Sequence, residues 1–254
     1  MTLPASILLV VAAAAWLVVV AVARKNEAMP GTMGFGLGTF VAVWALMMTA
    51  MMLPTTAPFA ALYTRTLNDH RPRRITELAC GYLLVWTAAA LPAYGLARLA
   101  GALVGSRPTA AKALAATIFA VCGIYQLTPI KDRCLTRCRS PLGFVLKYGS
   151  YRGRLRDLRV GVSHGAFCLA CCWALMAVLV AAGLMNLAVM VLLATVVLVE
   201  KTWTWGPRFS RVVGVLALVL AVAVLFRPTL APGLYQATMG GSGVDMSDAS
   251  AGHG

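Results

Sequence analysis

The sequence predicts an all-α protein, a polytopic bundle of about seven transmembrane helices, and three observations carry that prediction. Of the 254 residues, 60% are hydrophobic and 12% charged, a balance outside the range of soluble domains. The apolar residues fall into runs long enough to cross a hydrocarbon core of about 30 Å. The basic residues behind the net charge of +14 are gathered between those runs.

The first run, 3–23, lacks a basic leading stretch and ends in Ala21, Val22 and Ala23, which resembles a signal-peptidase site. It is a first helix or a signal-like segment, and cleavage would leave six helices. The second run, 39–63, contains Pro54 and Pro58, which are expected to break the helix beyond its methionines. The third, 76–104, and the fourth, 110–128, are rich in small residues that suit close helix packing. The fifth is 161–181. The sixth, 184–205, ends around Glu200 and Lys201, where Lys201 is expected to neutralise the acid or Glu200 to support His164. The seventh is 210–227. Gln126 and Asn186 are candidates for hydrogen bonds between helices.

Charge orients the bundle. The stretches 65–75, 129–160 and 200–211 hold sixteen basic residues and the opposite set of loops six, so the first set is expected on the cytoplasmic side of a bacterial inner membrane. The segment 129–160 is the largest extramembrane piece, with Asp132 and Asp157 its two acids, and its charge suits anionic headgroups. The basic balance therefore reads as topogenic, with the lipid bilayer as partner and no nucleic acid. The chain divides into 1–23, a membrane-embedded bundle 24–227, and an extracytoplasmic tail 228–254. That tail is rich in Gly, Ser and Asp from Met239 and is expected to be flexible.

Sulfur supplies the chemistry. His164, Cys168 and Cys171 fall within roughly 60° of one another on a helix, with Cys172 at the edge of that face. On a straight helix His164 and Cys168 are about 6 Å apart along the axis and Cys168 and Cys171 about 4.5 Å. Neighbouring pairs can share one ion, and all four residues cannot. Further ligands must come from elsewhere, or there are two sites. Cys134 and Cys138, just past the end of the fourth run, are expected near His164, as reduced thiols whose pKa values the surrounding Arg and Lys lower. Thiolate and imidazole fit Cu(I), zinc or an iron–sulfur cluster. Met47, Met48, Met51 and Met52 share an arc of about 140° on the second helix, and thioether favours Cu(I) over zinc. With Met29, Met33, Met176, Met185 and Met190 they suggest a relay for a soft cation, running from outer Met through intramembrane Met to inner Cys. No nucleotide loop or Ser-His-Asp set accompanies these residues.

The joint pattern of Trp44, Met47, Met48, Met51, Met52 and Pro54, Gly81-Tyr82 with Trp86, Tyr125 to Pro129, Lys131, Cys134 and Cys138, His164 to Met176, and Glu200-Lys201 resembles the bacterial family of predicted metal-binding integral membrane proteins. The resemblance covers about residues 35–205. It implies copper delivery to a tyrosinase-type copper oxidase, and the ligand set Cys134, Cys138, His164, Cys168, Cys171 and Cys172. The leading expectation is a Cu(I) chaperone, a binding protein and not an enzyme, that passes copper to a copper-dependent oxidase or another carrier by ligand exchange. A membrane thiol oxidoreductase using paired cysteines and a structural subunit of a membrane complex are the alternatives.

Overall fold

The computed structural model describes residues 3–26, 31–65, 71–139, 153 and 155–235. Their helices are α1 (Leu3–Asn26), α2 (Leu37–Arg65), α3 (Arg71–Ala88), α4 (Ala90–Ser106), α5 (Pro108–Leu127), α6 (Pro129–Arg139), α7 (Arg156–Ala182), α8 (Leu187–Thr202) and α9 (Gly206–Phe226), followed by short 3-10 turns at Pro228–Leu230 and Pro232–Leu234. Helices dominate because long apolar runs satisfy their backbone groups internally only in this form. Punctuation comes from familiar residues. Pro108 and Pro129 open α5 and α6, where no amide is needed. The Asn186 side chain accepts from the Val189 amide at 3.2 Å and caps α8. Gly183, at φ 93°, closes α7.

Among the described residues, six stretches are long and apolar enough to cross a membrane: Ser6–Lys25, Leu37–Tyr63, Arg73–Ser106, Pro108–Leu127, Arg156–Ala182 and Gly206–Phe226. Two expectations change. The sixth predicted run, 184–205, contains α8 with 16 residues, about 24 Å at 1.5 Å per residue, because the Asn186 cap and the turn at Trp203 cut it short. Pro54 and Pro58 do not break α2, which runs through both; the ladder bonds they forfeit are tolerable where protein lies alongside. The run expected over 76–104 lies within one such stretch, Arg73–Ser106, with a one-residue break at Ala89 dividing α3 from α4. Pro92 has no amide to offer the Ala88 carbonyl, which weakens the ladder there.

Close packing rests on backbone meeting backbone. A Cβ added to Gly161 would lie 2.1 Å from the Leu78 carbonyl oxygen, and one on Gly81 would lie 2.2 Å from that of Leu158, so α3 and α7 touch along their glycines. Side-chain bonds then align the ends. Asp157 at the start of α7 accepts from Arg74 of α3 at 3.0 Å and from Tyr63 near the end of α2. Lys112 near the start of α5 donates to the Leu225 carbonyl at the far end of α9, 3.1 Å away. The ends of α5 and α8 and the start of α9 meet through Gln126, Glu200 and Ser210. They do so beside Cys171, about 20 Å along α7 from Asp157. At this end α2, α3 and α7 thus run on past the ends of α5 and α8 and the start of α9, and the thiols lie at that step.

Candidate metal centre

On α7, Gly161 and Gly165 face α3, and the same inward side continues through Cys168, Cys171 and Cys172, which are at most 1% exposed. The Cys172 Sγ donates to the Cys168 carbonyl at 2.7 Å and the Cys171 Sγ to the same oxygen at 3.2 Å. These bonds turn the sulfurs together, with Cys168 and Cys172 Sγ 4.0 Å apart and Cys171 and Cys172 Sγ 3.9 Å apart. An ion about 2.3 Å from each of two sulfurs spans a gap of up to about 4.6 Å, so either pair is within bridging reach. Cys138 of α6 approaches the Cys171 sulfur closely enough for each to perturb the other's titration. Among the described residues, no three His, Cys, Asp or Glu side chains are already arranged as a metal cage.

Charge enters through two lysines. The Lys201 ammonium donates to Cys168 Sγ at 2.7 Å and lies 3.4 Å from the Thr55 hydroxyl. The Tyr82 hydroxyl lies 3.0 Å from the same sulfur and 3.5 Å from the Met52 carbonyl. Residues of α2, α3 and α8 therefore meet at one thiol of α7. Lys131, fully buried, pairs with buried Glu200 at 2.7 Å and donates to the Cys171 carbonyl at 2.6 Å. Gln126 donates to the other Glu200 oxygen at 2.8 Å and accepts from Ser210 at 3.2 Å. Burial pulls the Lys131 pKa down; the Glu200 carboxylate, the neighbouring Cys171 and Cys172 and the hydrogen bond to Glu200 together outweigh it and hold the group above the ordinary lysine value.

These contacts correct several expectations. Glu200 is neutralised by Lys131 rather than Lys201, and the partners found for it are Lys131 and Gln126 rather than His164. The reason is reach, since α6 folds back and places Lys131 between α7 and α8. Of the two predicted interhelical groups, Gln126 does bridge helices, while Asn186 caps its own. Cys134 and Cys138 do form one helical turn on α6, and it is Cys171 that Cys138 meets. His164 lies flat on Phe59, with ring centroids 4.3 Å apart, and tilted to Tyr82 at 5.8 Å. The neighbouring cations do not lower the α6 thiols. Burial pushes Cys134 up against the pull of Arg137 and Lys131, and the bond to Cys171, then burial, raise Cys138.

The four helix-two methionines are at most 1% exposed and sit in the main core with Phe40, Trp44 and Trp86. Met33, Met176, Met185 and Met190 are buried as well, while Met29 and the tail methionines fall outside the described residues. Sequence reasoning missed Lys131, Lys201 and Tyr82 as cluster neighbours. The available signal was Lys131 and Leu135, four residues apart on the inward face of a short helix.

Fold and site together define a class: an all-helical bundle of membrane-length apolar helices closed around buried thiols and two buried or half-buried lysines. Within that class the chain belongs to the PpoB2 family, described as copper chaperone, whose model matches residues 41–224. The match takes in nearly all of α9, beyond the region where the resemblance was legible, and leaves α1 outside. No curated protein and no solved structure matches the chain.

Proposed function

We propose that this copper chaperone works embedded in a bacterial inner membrane, holds copper as Cu(I) in its thiol cluster, and passes it by ligand exchange to a copper-dependent oxidase. The observation that carries this reading is the convergence of the Cys138, Cys168, Cys171 and Cys172 sulfurs, with an ammonium and a phenol on one of them. Thiols of this kind, shut away from water, suit a soft monovalent ion. His164 flanks the cluster as a further ligand, and Cys134 stands at its edge on α6, outside the holding set. Met47, Met48, Met51 and Met52 offer thioethers on the approach, on the helix whose Met52 carbonyl shares the Tyr82 hydroxyl with Cys168. The role is binding and delivery, not catalysis.

The basic stretches support a cytoplasmic position for the cluster, with the C-terminus outside. Asp157 and the paired ends of α5, α8 and α9 adjoin those basic stretches, and the Cys171 level lies beside the paired ends. Anaerobic titration of the detergent-purified protein with Cu(I) and with zinc, each followed by X-ray absorption, tests the reading. Tight Cu(I) binding with a sulfur-dominated first coordination sphere is expected. Tighter zinc than Cu(I) binding, or a shell of nitrogen and oxygen, contradicts it.

A further inference from the structure

The thiols of the cluster differ in access. Cys168, Cys171 and Cys172 are enclosed, whereas Cys134 and Cys138 are half-buried. An enclosed set can retain an ion, but an acceptor cannot reach it there. Transfer between soft sites proceeds through an intermediate in which donor and acceptor ligate the ion together, so at least one donor ligand must stand where both can meet.

α6 has the geometry for that step. Its inward stripe, Lys131 and Leu135, is buried, and Cys134 and Cys138 lie on the adjoining stripe where the helix passes from core to surface. Cys138 touches the enclosed set through Cys171. One turn away, Cys134 lines a surface cleft of about 510 Å³ with Asp132, Arg133 and Arg137. Lys131 fixes the register, because its bonds to Glu200 and to the Cys171 carbonyl tie α6 to the backbone that carries the inner thiols. The outward surface is basic: Arg133 and Arg137 are exposed, and Asp132 is already paired with Arg211 at 3.1 Å.

We propose that Cys138 and Cys134 form the exchange port of the site, Cys138 taking the ion from Cys171 and Cys134 presenting it in the α6 cleft to a copper-binding protein with a soft ligand and an acidic face. This rests on the Cu(I)-holding reading above. At each step one copper–sulfur bond forms as another breaks, the proton of the incoming thiol passes to the departing thiolate, and no electron changes hands. The basic rim serves encounter and register rather than tightness.

The test uses the full chain in detergent, loaded anaerobically with one equivalent of Cu(I) and mixed with excess bicinchoninate, a small anionic Cu(I) chelator whose coloured complex reports release. Cys134→Ser and Cys134→Ala should retain the copper, which also reports an intact fold, and release it at least tenfold more slowly than the parent. Release at the parental rate overturns the port. Loss of the copper in both variants before the chelator is added overturns it too, by making Cys134 a holding ligand. A parent that binds no Cu(I) defeats the function proposed above, whereas a parent that binds it with variants of unchanged release defeats the port alone.

Discussion

Two groups of buried sulfur, one on α2 and one on α7, differ in their company. On α2, Met47, Met48, Met51 and Met52 lie among Phe40, Trp44 and Trp86 in the apolar core. On α7, Cys168, Cys171 and Cys172 are equally enclosed, yet a lysine ammonium and a tyrosine hydroxyl point at one of the sulfurs and a second lysine at the backbone between them. Packing is enough to keep the methionines buried there, whatever they add to the copper path, since a flexible thioether fills irregular core space. It does not account for the cysteines, because burying an ammonium is costly without a charged or strongly polar partner. The comparison teaches that enclosure alone does not mark a site; enclosure with oriented charge does.

The largest effect expected from breaking this arrangement falls on stability. Lys131→Met strips Glu200 of its counter-ion inside the protein, and the loss should be about 3–5 kcal/mol, read as a drop in the denaturation midpoint in detergent. A double variant, Lys131→Met with Glu200→Leu, should recover most of it; failure to recover would mean that the ion pair is not what holds α6 in place. Next comes Lys201→Met. It removes a charge-assisted bond of about 1.5–3 kcal/mol from Cys168, so Cu(I) affinity should fall roughly tenfold to a hundredfold, with Lys201→Arg intermediate. Equal affinity in all three proteins would place Lys201 outside the site.

Replacing Met47, Met48, Met51 and Met52 by Leu conserves volume, so each change should cost less than about 1.5 kcal/mol. The copper stoichiometry should hold while loading slows, and an unchanged loading rate would remove the methionines from the copper path and leave them as packing. The smallest effect is that of pH. Burial, and for Cys138 the bond to Cys171, raise the α6 thiols above the ordinary value, so protons compete with the ion to higher pH. Cu(I) exchange through α6 should therefore quicken as pH rises from about 7 to 9, and a flat profile would count against thiolate ligation there.

The fold was legible because hydropathy and charge act over whole helices. Long apolar runs and basic loops predict the bundle without knowing any contact, and the error at 184–205 arose because apolar character continues past the Asn186 cap and the Trp203 turn. Within the site, periodicity alone grouped Cys168, Cys171 and Cys172, since these neighbours lie on one helix. Lys131 and Lys201 stand among the loop charges in sequence, because a basic residue next to a helix end looks the same whether it meets water or turns inward. Their inward turn depends on α6 folding back against α7 and α8, a long-range event. The position of His164 on Phe59 was illegible for the same reason: the two residues are more than a hundred positions apart in the chain.

The most direct test of a copper-holding thiol cluster is elemental analysis of the anaerobically purified protein beside a variant with Cys134, Cys138, Cys168, Cys171 and Cys172 all changed to Ser. Near-stoichiometric copper in the parent and none in the variant is the predicted result. Equal copper in both, or none in either when copper is supplied during expression, would contradict it.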